Sequence, residues 1–177
     1  FGIHERAEHY RALRAKIIDA VRHNCFAESR RLITDTPSKK NFSQHANILA
    51  VLEDVIPLAD QQFVMKTVLA DPTLSQATFY FRYYLHRALK KAGLGDEYVH
   101  QLEPWRQMLA LGLTTWAENP EPSRSDCHAW SAHPNFDLLA TVAGIEPAAP
   151  GFREVLIEPH LGPLTRLTAS LPLPQGD

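Results

Sequence analysis

Between Gly112 and Pro134 the chain reads GLTTWAENPEPSRSDCHAWSAHP, which places a carboxylate (Glu118), an imidazole (His128) and two indoles (Trp116 and Trp130) on one loop and the segment it leads into. A carboxylate partly desolvated beside an indole can take a proton from water. An imidazole can donate to a hydroxyl or accept from one, and an indole offers a flat apolar face to a ring. These are the parts needed by a site for a ring-shaped, hydroxyl-rich molecule. Each residue also has a structural alternative. Glu118 also reads as a solvated loop glutamate beside Pro120, His128 as a helix cap, and Trp130 as core filler. Arg124 and Asp126 either bind hydroxyls or hold the loop, an Arg–carboxylate fork being the stronger way to do so.

Other chemistries find less support. With 9 His there is no HxxxH or HExxH spacing, and His128 and His133 stand too far around a helix to share an ion, so no metal site is expected from spacing. Oxygen ligands in the long loops leave calcium open. No Gly-rich phosphate loop or Gly-x-Ser-x-Gly elbow is present, and no cofactor is expected. A net charge of -2 with dispersed Lys and Arg excludes a polyanion binder such as a nucleic-acid protein. No apolar run approaches the ~20 residues that span a bilayer, which predicts no membrane partner. The 2 cysteines, Cys25 and Cys127, form no disulfide framework and leave the compartment open, with a periplasmic or extracellular setting ahead of a cytoplasmic one.

Helical periodicity must position these residues. It runs through most of residues 5–143. A one-sided stripe (Tyr10, Leu13, Ile17, Val21) predicts an outer helix, and Ser43 to Val55, apolar at nearly every angle, predicts an inner one capped by Ser43. The alternation repeats as Asp60 to Leu69 (outer), Thr78 to Lys91 (inner), Tyr98 to Leu111 (outer) and His128 to Ala143 (inner). The aromatic block Phe79, Tyr80, Phe81, Tyr83, Tyr84 is expected to be mostly core, with Phe79 or Tyr80 lining a pocket. Long loops (24–42, 71–77, 112–127) each lead into an inner helix. One face would therefore carry the spare sequence together with free helix N–H groups. After Gly144 a turn cluster precedes two β-leaning segments, Phe152 to Ile157 and Leu164 to Leu171, read as strands of a sheet continued elsewhere.

Three αα-hairpins with buried inner helices make half of an (α/α)6 toroid, and the tail fits the first strands of a C-terminal β-sandwich. In order and spacing, SQHANILAVL (43–52), TFYFRYYLHRAL (78–89), Thr114-Thr115-x-x-Glu118, His128-Ala129-Trp130 and GIEPAAPGFREVLIEPHLG (144–162) resemble the bacterial α-L-rhamnosidases of glycoside hydrolase family seventy-eight. The resemblance covers nearly the whole chain. It implies that residues 1–143 are the C-terminal half of a six-hairpin catalytic domain and 144–177 a linker and the start of a β-domain, so that the chain is a piece of a longer protein.

The resemblance further implies that Glu118 is the general base of an inverting hydrolysis of terminal rhamnosides, with His128, Trp130, Trp116, Gln44 and Phe79 binding the sugar. This chain departs from the pattern in reading Trp116-Ala117-Glu118 where family members often read Trp-Glu. The general acid would lie upstream of these residues, leaving them inactive alone, and an exposed half-toroid surface would favour self-association. Two other readings stand beside this one. A toroidal polysaccharide lyase or sugar epimerase would use Tyr/His or paired-His groups in place of a lone Glu. A non-enzymatic helical-hairpin interaction module would show a shared repeat, and none is visible.

Overall fold

The structure, a computed structural model, describes residues 3–120, 122–173 and 176. It is mainly helical, with small antiparallel strand pairs. The chain divides into two compact units, Phe1–Ala77 and Thr78–Asp177.

In the first unit α1 (His4–Cys25) runs into a two-residue hairpin, β1 (Phe26–Ala27) and β2 (Leu32–Ile33), paired Phe26↔Ile33 and Ala27↔Leu32. The sequence reading had left this hairpin inside a loop. α2 (Gln44–Leu52) and α3 (Leu58–Ala70) pack on each other. Ser43 caps α2 as expected, its Oγ accepting from Ala46 N at 3.1 Å, which satisfies one of the free N–H groups of the first turn. The helix is shorter than the predicted Ser43 to Val55, because Asp54 turns to φ 58 and ends it. Asn47, fully buried, exchanges bonds with Ile33 (N to Oδ1 2.8 Å, Nδ2 to O 2.9 Å) and so serves β2 as a strand partner would. α1 departs from expectation: none of its residues is buried, and Tyr10, Leu13 and Ile17 remain exposed. Arginines tether it to the carbonyls that follow α2, Arg14 to Glu53 O (2.6 Å) and Arg22 to Asp54 O (2.6 Å).

In the second unit α4 (Phe79–Lys91) buries Phe79, Leu85, His86, Ala88 and Leu89 and leaves Tyr80 on the open side. The predicted helix Tyr98 to Leu111 is a 3-10 segment, Gly95–Leu102, followed by α5 (Glu103–Ala110). Pro104 lies in its first turn, where a missing N–H costs nothing. The predicted helix His128 to Ala143 is likewise broken, into a 3-10 turn (Ala129–Ser131), α6 (Pro134–Asp137) and a π turn (Leu138–Val142). Pro134 accounts for the break, since its ring occupies the space of the carbonyl four residues back and it has no N–H to donate.

β3 (Ile145–Pro147) and β4 (Val155–Ile157) close an antiparallel pair, so the strand predicted at 152–157 is present but shorter, and its partner precedes it. The strand expected over Leu164 to Leu171 is absent; that stretch is irregular. Gly144 is required where the pair meets the π turn. At φ 68 its backbone lies against Glu158, whose N–H it accepts at 3.0 Å, and a Cβ there would fall 2.0 Å from Glu158 O. Glu146 on β3 receives Arg87 Nη1 (2.8 Å) and Lys90 Nζ (2.5 Å) from α4. Burial alone would raise its carboxyl, but these two cations outweigh it and hold the group below its ordinary value.

Candidate active site

The loop after α5 folds back on itself as a pair of arms. His128 N donates to Trp116 O (2.7 Å), Glu118 N to Ser125 O (2.8 Å), and Thr115 Oγ1 to Asp126 O. The turn at Ala129–Ser131 then grips the outgoing arm at two successive carbonyls. Ser131 Oγ donates to Ala117 O (2.5 Å) and Trp130 Nε1 to Glu118 O (3.0 Å). Ser131 is itself held, its carbonyl accepting from Trp105 Nε1 at 2.8 Å. Ala117 is buried with Phe79, Trp105 and Met108, so the arm is anchored by packing as well as by hydrogen bonds.

Within this frame the Glu118 side chain is 4% exposed, and both carboxylate oxygens face Arg124. Nε donates to Oε2 at 2.9 Å and Nη2 donates to Oε1. His128 Nε2 stands 4.0 Å from the same Oε1, and His128 Nδ1 is buried without a hydrogen-bond partner. The His128 ring lies 4.4 Å from that of Trp130 at 40°, and the Tyr80 ring from α4 lies 5.6 Å from that of Trp130. Trp130 and Tyr80 are exposed, so a carboxylate sits beside a solvent-facing aromatic row.

The structure thus brings together Glu118, His128 and Trp130, and it adds Arg124 and Tyr80. Trp116 is half-buried. Its side chain packs against the core cluster and lines, with Thr114, Thr115, Trp105 and Arg106, a concavity of about 550 Å³. Phe79 is core, 5.0 Å from the Trp105 ring, so of the two residues proposed to line a pocket it is Tyr80 that is open to solvent. Asp126 is exposed, and the fork that Arg124 makes is with Glu118. Gln44, in the first unit, is buried and fully engaged. Its Nε2 donates to Val68 O and Gln76 Oε1 (both 2.9 Å) and its Oε1 accepts from Ala77 N (2.8 Å), which makes it a structural side chain.

Beneath the loop lies a cluster that the sequence reading did not single out. Asp137 Oδ2 is hydrogen-bonded to His86 Nδ1 (3.0 Å) and His133 Nδ1 (2.9 Å), and His133 Nε2 lies 3.1 Å from Phe79 O. Burial holds the His86 imidazole below its ordinary value, opposed by its bond to Asp137. Burial also pushes the Asp137 carboxyl up, but the bonds from His133 and His86 prevail and keep it low. Burial raises the Tyr98 hydroxyl, whose ring stands 4.8 Å from His86. The ligand atoms of His86, His133 and Asp137 lie within 4.8 Å of one another, close enough for an ion, yet the hydrogen bonds among them already account for their approach. The spacing of His133 and Asp137, four apart at the start of a helix, was the available signal.

The chain is glycoside-hydrolase-like in fold. It superposes with TM-score 0.83 and 25% identity on the crystal structure of a GH78 family rhamnosidase of Bacillus sp. GL1, over 97% of this chain and 20% of that one. A rhamnosidase from Klebsiella oxytoca with rhamnose bound shares the fold at TM-score 0.70 and 23% identity, over 77% of this chain and 29% of that one. The chain therefore spans about a fifth of the length of the first structure and under a third of the second. No protein-family model and no curated protein matches the sequence. Among the described residues no helix is long and apolar enough to cross a membrane.

Proposed function

We propose that this chain is the base-bearing part of an inverting glycoside hydrolase that removes terminal α-L-rhamnose, or a similar sugar, from its substrates. The observation that carries the reading is the buried Glu118 carboxylate beside half-buried His128 and the exposed Trp130 and Tyr80, on a rhamnosidase-like fold. Glu118 takes a proton from the water that attacks the anomeric carbon, on the face opposite the departing oxygen, and the C–O bond to the leaving group breaks as the new one forms. His128, whose side chain is partly exposed, bonds a sugar hydroxyl. Trp130 packs on the ring or its methyl group, extended by Tyr80.

The general acid comes from outside these residues, set ~6.5 to 9.5 Å from the base so that water fits between. Residues 1–143 are the second half of the six-hairpin toroid and 144–177 lead into a β-domain; alone they are inactive, and they self-associate through surface meant for the missing hairpins. The test is release of nitrophenol from an aryl α-L-rhamnoside by the full-length protein and by Glu118→Gln. A loss of ~10² to 10⁴ with folding unchanged is expected, and equal rates would reduce Glu118 to a loop residue. Proton NMR of the first-formed sugar should show the inverted anomer.

A further inference from the structure

Glu118 is held in place by its backbone. Its N–H bonds Ser125 O, its carbonyl accepts from Trp130, and the preceding Ala117 carbonyl accepts from Ser131. That backbone is fixed without Arg124. The guanidinium nevertheless donates to both carboxylate oxygens, and the exposures are very unequal, 80% for the Arg124 side chain against 4% for that of Glu118. The guanidinium therefore lies on the solvent side of the carboxylate, over the approach a water would use. A general base must offer a lone pair to its water, within hydrogen-bond reach. With a fork on both oxygens and a side chain only 4% exposed, Glu118 in this arrangement leaves no open side for that water. The cover is also easily opened, because an ion pair whose cation is mostly hydrated contributes little.

Resting on the reading of Glu118 as the base, we propose that Arg124 is a positioning residue that caps Glu118 in the free protein and is displaced when the sugar binds, so that the base is uncovered only in the occupied site. The uncapped form is then the binding-competent one, and apparent affinity is lowered by the fraction of molecules that are capped.

Arg124→Ala removes the cap. Calorimetry on the full-length protein should show L-rhamnose binding tightened about two- to fivefold. KM for an aryl rhamnoside should fall by the same factor, with kcat unchanged because the cap is absent during chemistry. Arg124→Lys, which cannot fork across two oxygens, should fall between the two. In a Glu118→Gln background the cap has no carboxylate to hold, so adding Arg124→Ala should leave rhamnose affinity where it was. Weaker or unchanged binding in Arg124→Ala, or a lower kcat, would overturn the cap while leaving Glu118 as the base. If the wild-type protein neither binds rhamnose nor cleaves the rhamnoside, the reading of the site fails and the cap fails with it.

Discussion

Trp130 donates its indole N–H to the carbonyl of Glu118 at 3.0 Å, so the aromatic residue placed to meet a sugar ring also fixes the backbone of the proposed base. One side chain thereby couples the binding surface to the catalytic carboxylate. The two roles are separable, because the bond uses the indole N–H while 40% of Trp130 stays open to solvent.

Trp130→Phe keeps a ring and deletes the donor. Rhamnose binding should stay near the wild-type value while kcat falls about 10- to 100-fold, as expected for a displaced catalytic group. Trp130→Ala removes the ring as well, so KM should rise in addition. Equal KM increases in both variants, with kcat untouched, would show that the indole N–H has no part in placing Glu118.

The active loop was legible because one short stretch carries Glu118, His128 and Trp130, and local spacing alone brings them near one another. The partner of Arg124 was not. Asp126 is two residues away and Glu118 six, both are within reach of a guanidinium, and only the return of the loop, set by the Glu118 N to Ser125 O bond, decides between them. Helix existence followed from periodicity, whereas the continuity expected over 128–143 failed at Pro134, where a missing N–H outweighed an apolar stripe. Gln44 is ambiguous in sequence for another reason. A polar residue in the first turn of a buried helix reads the same whether it meets a ligand or a neighbouring backbone segment, and here residues 76–77 take its amide. The His86–Asp137 pair joins residues 51 positions apart, a contact that no local pattern reports.

That buried pair sets an acid dependence of stability. His86 has a folded value below 6.5, so below pH 6.5 the unfolded chain binds a proton that the native protein refuses, and stability declines as pH falls. Asp137 is held below 3.8; its contribution is complete above that pH and is lost as pH drops through the folded value. Urea unfolding between pH 8 and pH 3 should therefore show stability falling first below about 6.5 and again at the acid end. Asp137→Asn should cost about 1.5–3 kcal/mol at neutral pH, since the imidazoles lose a charged hydrogen-bond acceptor, and should reduce the acid-end loss, to which Glu146 also contributes. A wild-type stability flat across this range would show that the cluster is not buried as described.

The exposed stripe of α1 carries the last prediction. Tyr10, Leu13 and Ile17 are 65%, 43% and 53% exposed on a helix with no buried residue, and they border a concavity of about 580 Å³ that Val21, Ala46 and Leu49 also line. A helix with an apolar stripe gains most of its stability by packing that stripe, and α1 has its arginines on carbonyls but its apolar face uncovered. The 177-residue chain should therefore self-associate. Size-exclusion chromatography with light scattering over a concentration series should give a mass that rises with concentration, and Leu13→Glu with Ile17→Glu should return it to the monomer value. On the proposed six-hairpin reading, the same pair of substitutions should also lower the thermal stability of the full-length protein, where further hairpins would cover the stripe. A monodisperse monomer from the unaltered chain at every concentration would remove the case for association through this face.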